Sequence, residues 1–382
     1  MYNIRMDIVF TKDSHSENQS NKTFKDKVIA FFKRYDSNFY FFLQLCVIGV
    51  LFFATSLLKN QWTTLFGGDY TAQQLSFYTN GYDDWWHFFK TGEFRFFDTN
   101  TFLGASNIGA NSFYYFFDPF FFPILLCPRA YIAQGMAFLA IFKIATAGMF
   151  FTKYMSVMGA SKKASRLTGM AYAFSGWMAW FLWFNHMTEV MIVFPIMLWG
   201  VERVLRDKKP WLLMFGIFLM GLTNYFFLIG MGIAAFFYAI FRYFQRLKLN
   251  NWKENLIILG IGFIGFLGGL LLSCCVVIPA ALYSLDAPRA ANSGYLDVIK
   301  DAIKDKKFDV VFKMLFSWKE ADQAEYRHFY PLINLVYPCA SCRGTPLTQY
   351  GNEYYDNCAT NIYVYIPMLL FFLPAFIKAM KD

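Results

Sequence analysis

Charge is what this chain has least of. Only 16% of its 382 residues are Asp, Glu, Lys or Arg, too few for a water-soluble chain of this length. Phosphate loops of the G-x-x-x-x-G-K-[ST] type, dinucleotide fingerprints and a recognisable Ser, His and Asp order are also missing, which excludes soluble nucleotide-driven chemistry. Ionisable side chains are nearly absent from the long apolar runs. Lys143, in "FLAIFKIATAG", stands almost alone there, whereas a hydrophilic transport path needs several such groups. The first apolar run ends without a small-residue cleavage site, so a retained span is expected rather than a removed leader.

What fills the chain instead is apolar surface. Residues are 57% hydrophobic and 21% aromatic, with 48 Phe, a composition that points to an all-α, polytopic membrane protein. The formal charge of +9 does not indicate nucleic acid, because the basic residues lie in short clusters between apolar segments rather than on one face. A bilayer takes about 20 apolar residues per helix. Runs of that kind occur at Phe39 to Leu58, Tyr131 to Phe151, Leu167 to Phe184, Val190 to Leu205, Trp211 to Tyr243, Leu256 to Tyr283 and Ile362 to Ile377. The run from Trp211 is too long for one helix and is expected to break at Thr223 and Asn224.

Orientation follows from Lys and Arg in the short loops. Clusters at Lys153 to Arg166, Arg203 to Lys209, Arg242 to Lys253 and Lys378 to Lys381 share one side with the N-terminus only if Phe113 to Pro128, with its three prolines, does not cross. The expectation is a bundle of about eight spans in the bacterial cell membrane with both termini cytoplasmic. Residues 1–38 form a cytoplasmic segment and 39–283 the transmembrane region, including a first outer loop at 59–112. Residues 284–360 form an extracytoplasmic lobe, and 361–382 the last span and tail. Aromatic pairs in the first loop (Trp85 and Trp86, Phe88 and Phe89, Phe96 and Phe97) are spaced for interfacial helices, one of them near Asn80 to Lys90.

Several ordered segments carry a family resemblance. A Gly-Gly-Asp opens the long outer loop in "LFGGDYTAQQ", and "YAFSGWMAWFLWFNH" (Tyr172 to His186), "FPIMLWGVERVL" (Phe194 to Leu205) and "LTNYFFLIGM" (Leu222 to Met231) follow. Together they resemble the bacterial YfhO family over nearly the whole chain. The resemblance implies a multi-spanning glycosyltransferase of the GT-C fold, using a polyprenyl-phosphate sugar and a cell-envelope acceptor such as lipoteichoic acid or a wall polymer. Members of that family are longer, so the chain is expected to be an N-terminal half or a shortened relative. Membrane lipid is an expected partner and nucleic acid is not. A lipid-linked sugar flippase and a non-catalytic membrane scaffold remain the alternatives.

In that frame Asp69 matches by position the carboxylate that takes the acceptor proton, with Gly67 and Gly68 allowing a sharp turn at the helix exit. The alternative is that Asp69 caps a helix starting at Tyr70 or Thr71. The departing phosphate needs cations at the outer interface, for which Arg95, Arg289 and Arg327 are the candidates, each otherwise a solvated surface arginine. Asp83 and Asp84, with His87 one turn on, belong to the candidate cavity. They either hold a divalent ion or simply favour a helix start, and no cofactor is expected to be required. Asn185, His186, Glu189 and Asn224 are polar groups at the outer membrane edge that line the same cavity or only cap helix ends. Lys143 is expected to find a buried acidic partner rather than to snorkel. In the second outer loop Cys339, Cys342 and Cys358 offer one disulfide, the preferred closure being onto Cys358.

Overall fold

A computed structural model describes residues 37–64, 70–99, 104–182, 184–247, 251–285, 304–307, 349–350 and 353–354. Asp69, Arg289, Arg327, Cys339, Cys342, Cys358, the last apolar run and the N-terminal segment lie outside the described residues.

In hydrocarbon, backbone N–H and C=O groups must be satisfied within the segment itself, so apolar runs become helices. Helix α1 (Asn38–Phe52) begins at Ser37, whose hydroxyl accepts from Tyr40 N at 3.3 Å, and a one-residue break at Phe53 leads into the short α2 (Ala54–Lys59). The loop after α2 contributes a π-helical turn at Tyr70–Gln74 that runs into α3 (Leu75–Thr91). Gly92, at φ 74°, closes α3 in the left-handed conformation that glycine adopts without steric cost. A two-residue antiparallel ribbon, β1 (Phe97–Asp98) and β2 (Ala105–Ser106), precedes α4 (Asn107–Asn111).

The remaining helices build the bundle. They are α5 (Ile132–Val157), α6 (Lys162–Ala173), α7 (Gly176–Phe181), α8 (Val190–Asp207), α9 (Trp211–Thr223), α10 (Tyr225–Arg246) and α11 (Trp252–Leu285). Among the described residues three helices are long and apolar enough to cross a membrane: 129–157, 225–246 and 252–284. The shorter α1 and α9 are also apolar. A second small ribbon pairs β3 (Gln349–Tyr350) with β4 (Glu353–Tyr354).

The long run from Trp211 breaks where the sequence indicates. Asn224 leaves helical geometry at φ −157°, ψ 83°, and its Oδ1 accepts from Phe227 N at 3.2 Å, a cap worth about 1 kcal/mol. Phe113 to Pro128 forms turns and a 3-10 helix at Phe122–Leu126 rather than a spanning helix. Leu167 to Phe184 departs from expectation, because it is not one helix. Phe174 turns out of α6 and Ser175 takes the extended geometry (φ −68°, ψ 162°) of an N-cap before α7. The Ser175 hydroxyl makes no capping hydrogen bond, so no local side-chain bond accounts for the break, and apolarity alone does not register it. Phe97, expected on the flat helix, instead pairs with Ser106 in the ribbon.

α5 packs against α1, α6 and α8, while α9 lies between α8 and α11. Lipid tails are as apolar as the helix surfaces, so association depends on close packing at small residues. At Gly169 of α6, an added Cβ would lie 2.7 Å from Gly148 O of α5. At Gly200 of α8 it would lie 2.5 Å from Leu213 Cα and 2.6 Å from Leu213 N of α9. These are backbone atoms that no rotamer change can move. Gly200→Ala is therefore expected to push α8 and α9 apart and to destabilise the protein by about 1–3 kcal/mol, measured by thermal unfolding in detergent. An unchanged midpoint would mean that the two helices separate freely.

Candidate functional site: a buried polar centre beside the loop after α2

Apolar helices enclose a dense group of polar side chains whose elements come from distant parts of the sequence. Thr64 ends the described stretch before the Leu65 to Asp69 segment and Tyr70 begins the next. Their hydroxyls hydrogen-bond at 3.2 Å and both residues are buried. From Tyr70 the π-helical turn and α3 place Tyr70, Gln74 and Tyr78 at four-residue intervals, all buried and all turned to the centre. π-helical turns are rare and concentrate at functional sites.

Lys143 is the hub. Its ammonium donates to Tyr78 Oη at 3.0 Å, to the Asn185 carbonyl at 3.2 Å and to Glu189 Oε1. Lys143 and Glu189 are both 0% exposed. An ammonium has three donors, and all three are used. The lysine therefore has its buried acidic partner, and it has no N–H left to offer a phosphate.

Asp118 stands on the other side. Its Oδ1 accepts from Phe120 N at 2.9 Å, and its carboxyl lies beside that of Glu189. Each acid otherwise retains one oxygen without a donor, Asp118 Oδ2 and Glu189 Oε2. Two buried carboxylates beside one ammonium carry an excess negative charge unless one of them holds a proton. One ammonium, one carboxylate and one carboxyl then sum to zero charge, the balance that a low-dielectric interior favours.

Asn185 and His186 occupy the turn between α7 and α8. The Asn185 amide lies beside the Tyr70 hydroxyl without closing a hydrogen bond of good geometry. His186 Nδ1 lies 3.4 Å from Gln74 Oε1, and Phe113 and Tyr114 pack edge-on against its ring at 4.7 and 5.0 Å between centroids. Asn224 Nδ2 donates to the His186 carbonyl at 3.0 Å, tying the break between α9 and α10 to the site. Gln74 Nε2 and His186 Nε2 are buried without a partner. Each such atom costs about 1–3 kcal/mol unless a water or a ligand group meets it.

The structure thus gathers Asn185, His186, Glu189 and Asn224 and adds Lys143, Asp118, Gln74, Tyr70 and Tyr78. Sequence reasoning missed Asp118, Gln74 and Tyr78, and read Tyr70 only as a possible helix start. The four-residue spacing of Tyr70, Gln74 and Tyr78 was a usable signal, whereas Asp118 sits in an aromatic turn with no pattern around it.

Asp83 and Asp84 are placed elsewhere. The Arg129 guanidinium donates to Asp83 from Nε and Nη2, each at 2.7 Å. Asp84 accepts from Asn107 Nδ2 at 2.9 Å and from Arg95 Nη1 at 3.4 Å. Burial pushes the Asp84 carboxyl above its ordinary pKa, against the Asn107 hydrogen bond and the Arg95 charge. Neighbours on α3, the two acids face different partners. Among the described residues no three His, Cys, Asp or Glu side chains come together in a metal-binding arrangement.

A helical membrane protein with a charge-balanced polar centre buried against its first loop is the class that these features define. The family model for the bacterial membrane protein YfhO matches residues 40–308, and the chain belongs to that family. No curated protein and no solved structure shows significant similarity to it.

Proposed function

We propose that this protein transfers a sugar from a polyprenyl-phosphate donor to an acceptor polymer of the cell envelope, on the extracytoplasmic side of a bundle with both termini cytoplasmic. The observation that carries this reading is the bond between Thr64 and Tyr70. Thr64 and Tyr70, the described residues on either side of 65–69, meet at the edge of the buried polar centre, which supports a role for Asp69 there. Asp69 is the base that takes the acceptor hydroxyl proton as the anomeric carbon is attacked. Gln74, Asn185 and His186 supply neutral donors and acceptors suited to sugar hydroxyls. Lys143 is saturated, so charge for the departing phosphate comes from Arg289 or Arg327, or from Arg95, which is 43% exposed despite its contact with Asp84. No cofactor is required.

The observation favouring a flippase is the presence of Lys143, Glu189 and Asp118 together between apolar helices, more ionisable character than the linear sequence suggests. One experiment separates the readings. The purified full chain is placed in liposomes with a radiolabelled polyprenyl-phosphate sugar and a lipoteichoic-acid acceptor. Label is expected to appear on the acceptor. Exchange of labelled donor between leaflets without transfer would replace the proposal with transport, and neither event would leave a scaffold.

A further inference from the structure

At the opposite end of α8 and α10 from the polar centre, one carboxylate meets three guanidiniums. Glu202 is fully buried and accepts from Arg242 Nε at 2.7 Å, Arg206 Nε at 3.1 Å and Arg246 Nη2 at 3.3 Å. Tyr154 donates to Tyr238 at 2.9 Å, and Tyr238 to Glu202 at 2.8 Å, which completes the shell of that carboxylate. Three positive charges against one negative leave an excess of two. Neighbouring charges do not cancel it, because Arg203 pairs with Asp207 at 2.6 Å and Lys208 with Glu254 at 3.2 Å. Arg206 and Arg246 remain 34% and 31% exposed.

At this end of the bundle α8, α9, α10 and α11 leave a groove of ≈ 750 Å³ with an almost wholly apolar lining. Val201 and Leu205 of α8 are one and three residues from Glu202, and Tyr243 and Phe244 of α10 lie between Arg242 and Arg246, so groove and guanidiniums occupy the same end of the same two helices. Phe244 and Phe263 on its rim are each 65% exposed.

The geometry points to a binding site for an anionic phospholipid, its phosphate on Arg206 and Arg246 and its acyl chain in the groove. Charge selects the headgroup. A zwitterionic lipid brings a trimethylammonium that the excess positive charge repels, whereas phosphatidylglycerol brings one net negative charge and no cation. Arginine also suits the task because its planar guanidinium carries five N–H donors: Arg246 spends Nη2 on Glu202, and Arg206 spends Nε there and Nη1 on the Val157 carbonyl, which leaves N–H groups on each for a phosphate oxygen. The buried carboxylate fixes the three side chains in advance, so little rotamer freedom is lost when the lipid arrives. This site is separate from the polar centre and does not depend on the proposed transfer reaction.

The test uses the full chain in nanodiscs of mixed phosphatidylglycerol and phosphatidylcholine, with lipids retained on gentle release counted by native mass spectrometry. The wild type is expected to retain phosphatidylglycerol in preference to phosphatidylcholine. Arg246→Gln leaves Glu202 two guanidiniums and is expected to reduce that retention about tenfold, the effect of one charged hydrogen bond. Ala239→Phe, which fills the groove and spares every arginine, is expected to do the same. Equal retention of the two lipids by the wild type would overturn the proposal, as would no lipid retained because another part of the chain or a second copy fills the groove. Unchanged phosphatidylglycerol retention in both variants would also overturn it.

Discussion

Lys143→Met is expected to destabilise the protein by about 3–5 kcal/mol, the usual result of removing one partner from a fully buried ion pair. The loss comes mainly from what is left behind. Glu189 would keep its position between Asp118 and a vanished cation, and Tyr78 Oη and the Asn185 carbonyl would lose their donor together. The double variant Lys143→Met with Glu189→Leu removes the stranded charge and is expected to recover a large part of that stability. Unfolding in mixed micelles, followed by tryptophan fluorescence, measures both. A single variant within about 0.5 kcal/mol of wild type would show that water reaches the cluster and that it is not the dry, balanced centre described above.

Asp69→Asn is expected to lower sugar transfer by about 100- to 10,000-fold, the range that a general base contributes, with membrane insertion and thermal midpoint unchanged. The choice of asparagine separates two roles. Asn caps a helix as well as Asp does, so if Asp69 only starts the helical turn at Tyr70, the variant keeps full activity. Asp69→Ala removes both functions and is expected to lose the same activity plus about 1 kcal/mol of stability. Radiolabelled transfer in liposomes reads the first effect and thermal unfolding the second. Full activity in the asparagine variant would remove Asp69 from catalysis and leave capping as its role.

Both experiments address a site of which the sequence revealed about half. Glu189, Asn185, His186 and Asn224 stood out as polar groups at the ends of apolar runs, a contrast visible without coordinates. Lys143 announced an acidic partner because an unpaired ammonium inside a bilayer is too costly to persist. Which acid it would choose was not legible. Glu189 lies 46 residues away and Tyr78 65 residues away, and nothing local in either neighbourhood encodes that approach. Asp83 and Asp84, adjacent in sequence, point to different partners because successive side chains on a helix lie roughly 100° apart.

By itself, then, the sequence determined the properties that depend on short stretches. These are membrane residence from the length of the apolar runs, the break at Asn224 from its capping side chain, and the non-spanning course of Phe113 to Pro128 from its prolines. Tertiary structure alone decided the break between α6 and α7 and the convergence of Arg206, Arg242 and Arg246 on Glu202. It alone also brought Gln74 and Asp118 to the polar centre. The physical reason is that run length and turn preference are set by neighbours in the chain. A buried charge is instead matched by whichever helix packs closely enough, and that approach is set by small residues such as Gly169 and Gly200 and by the shapes of side chains facing them.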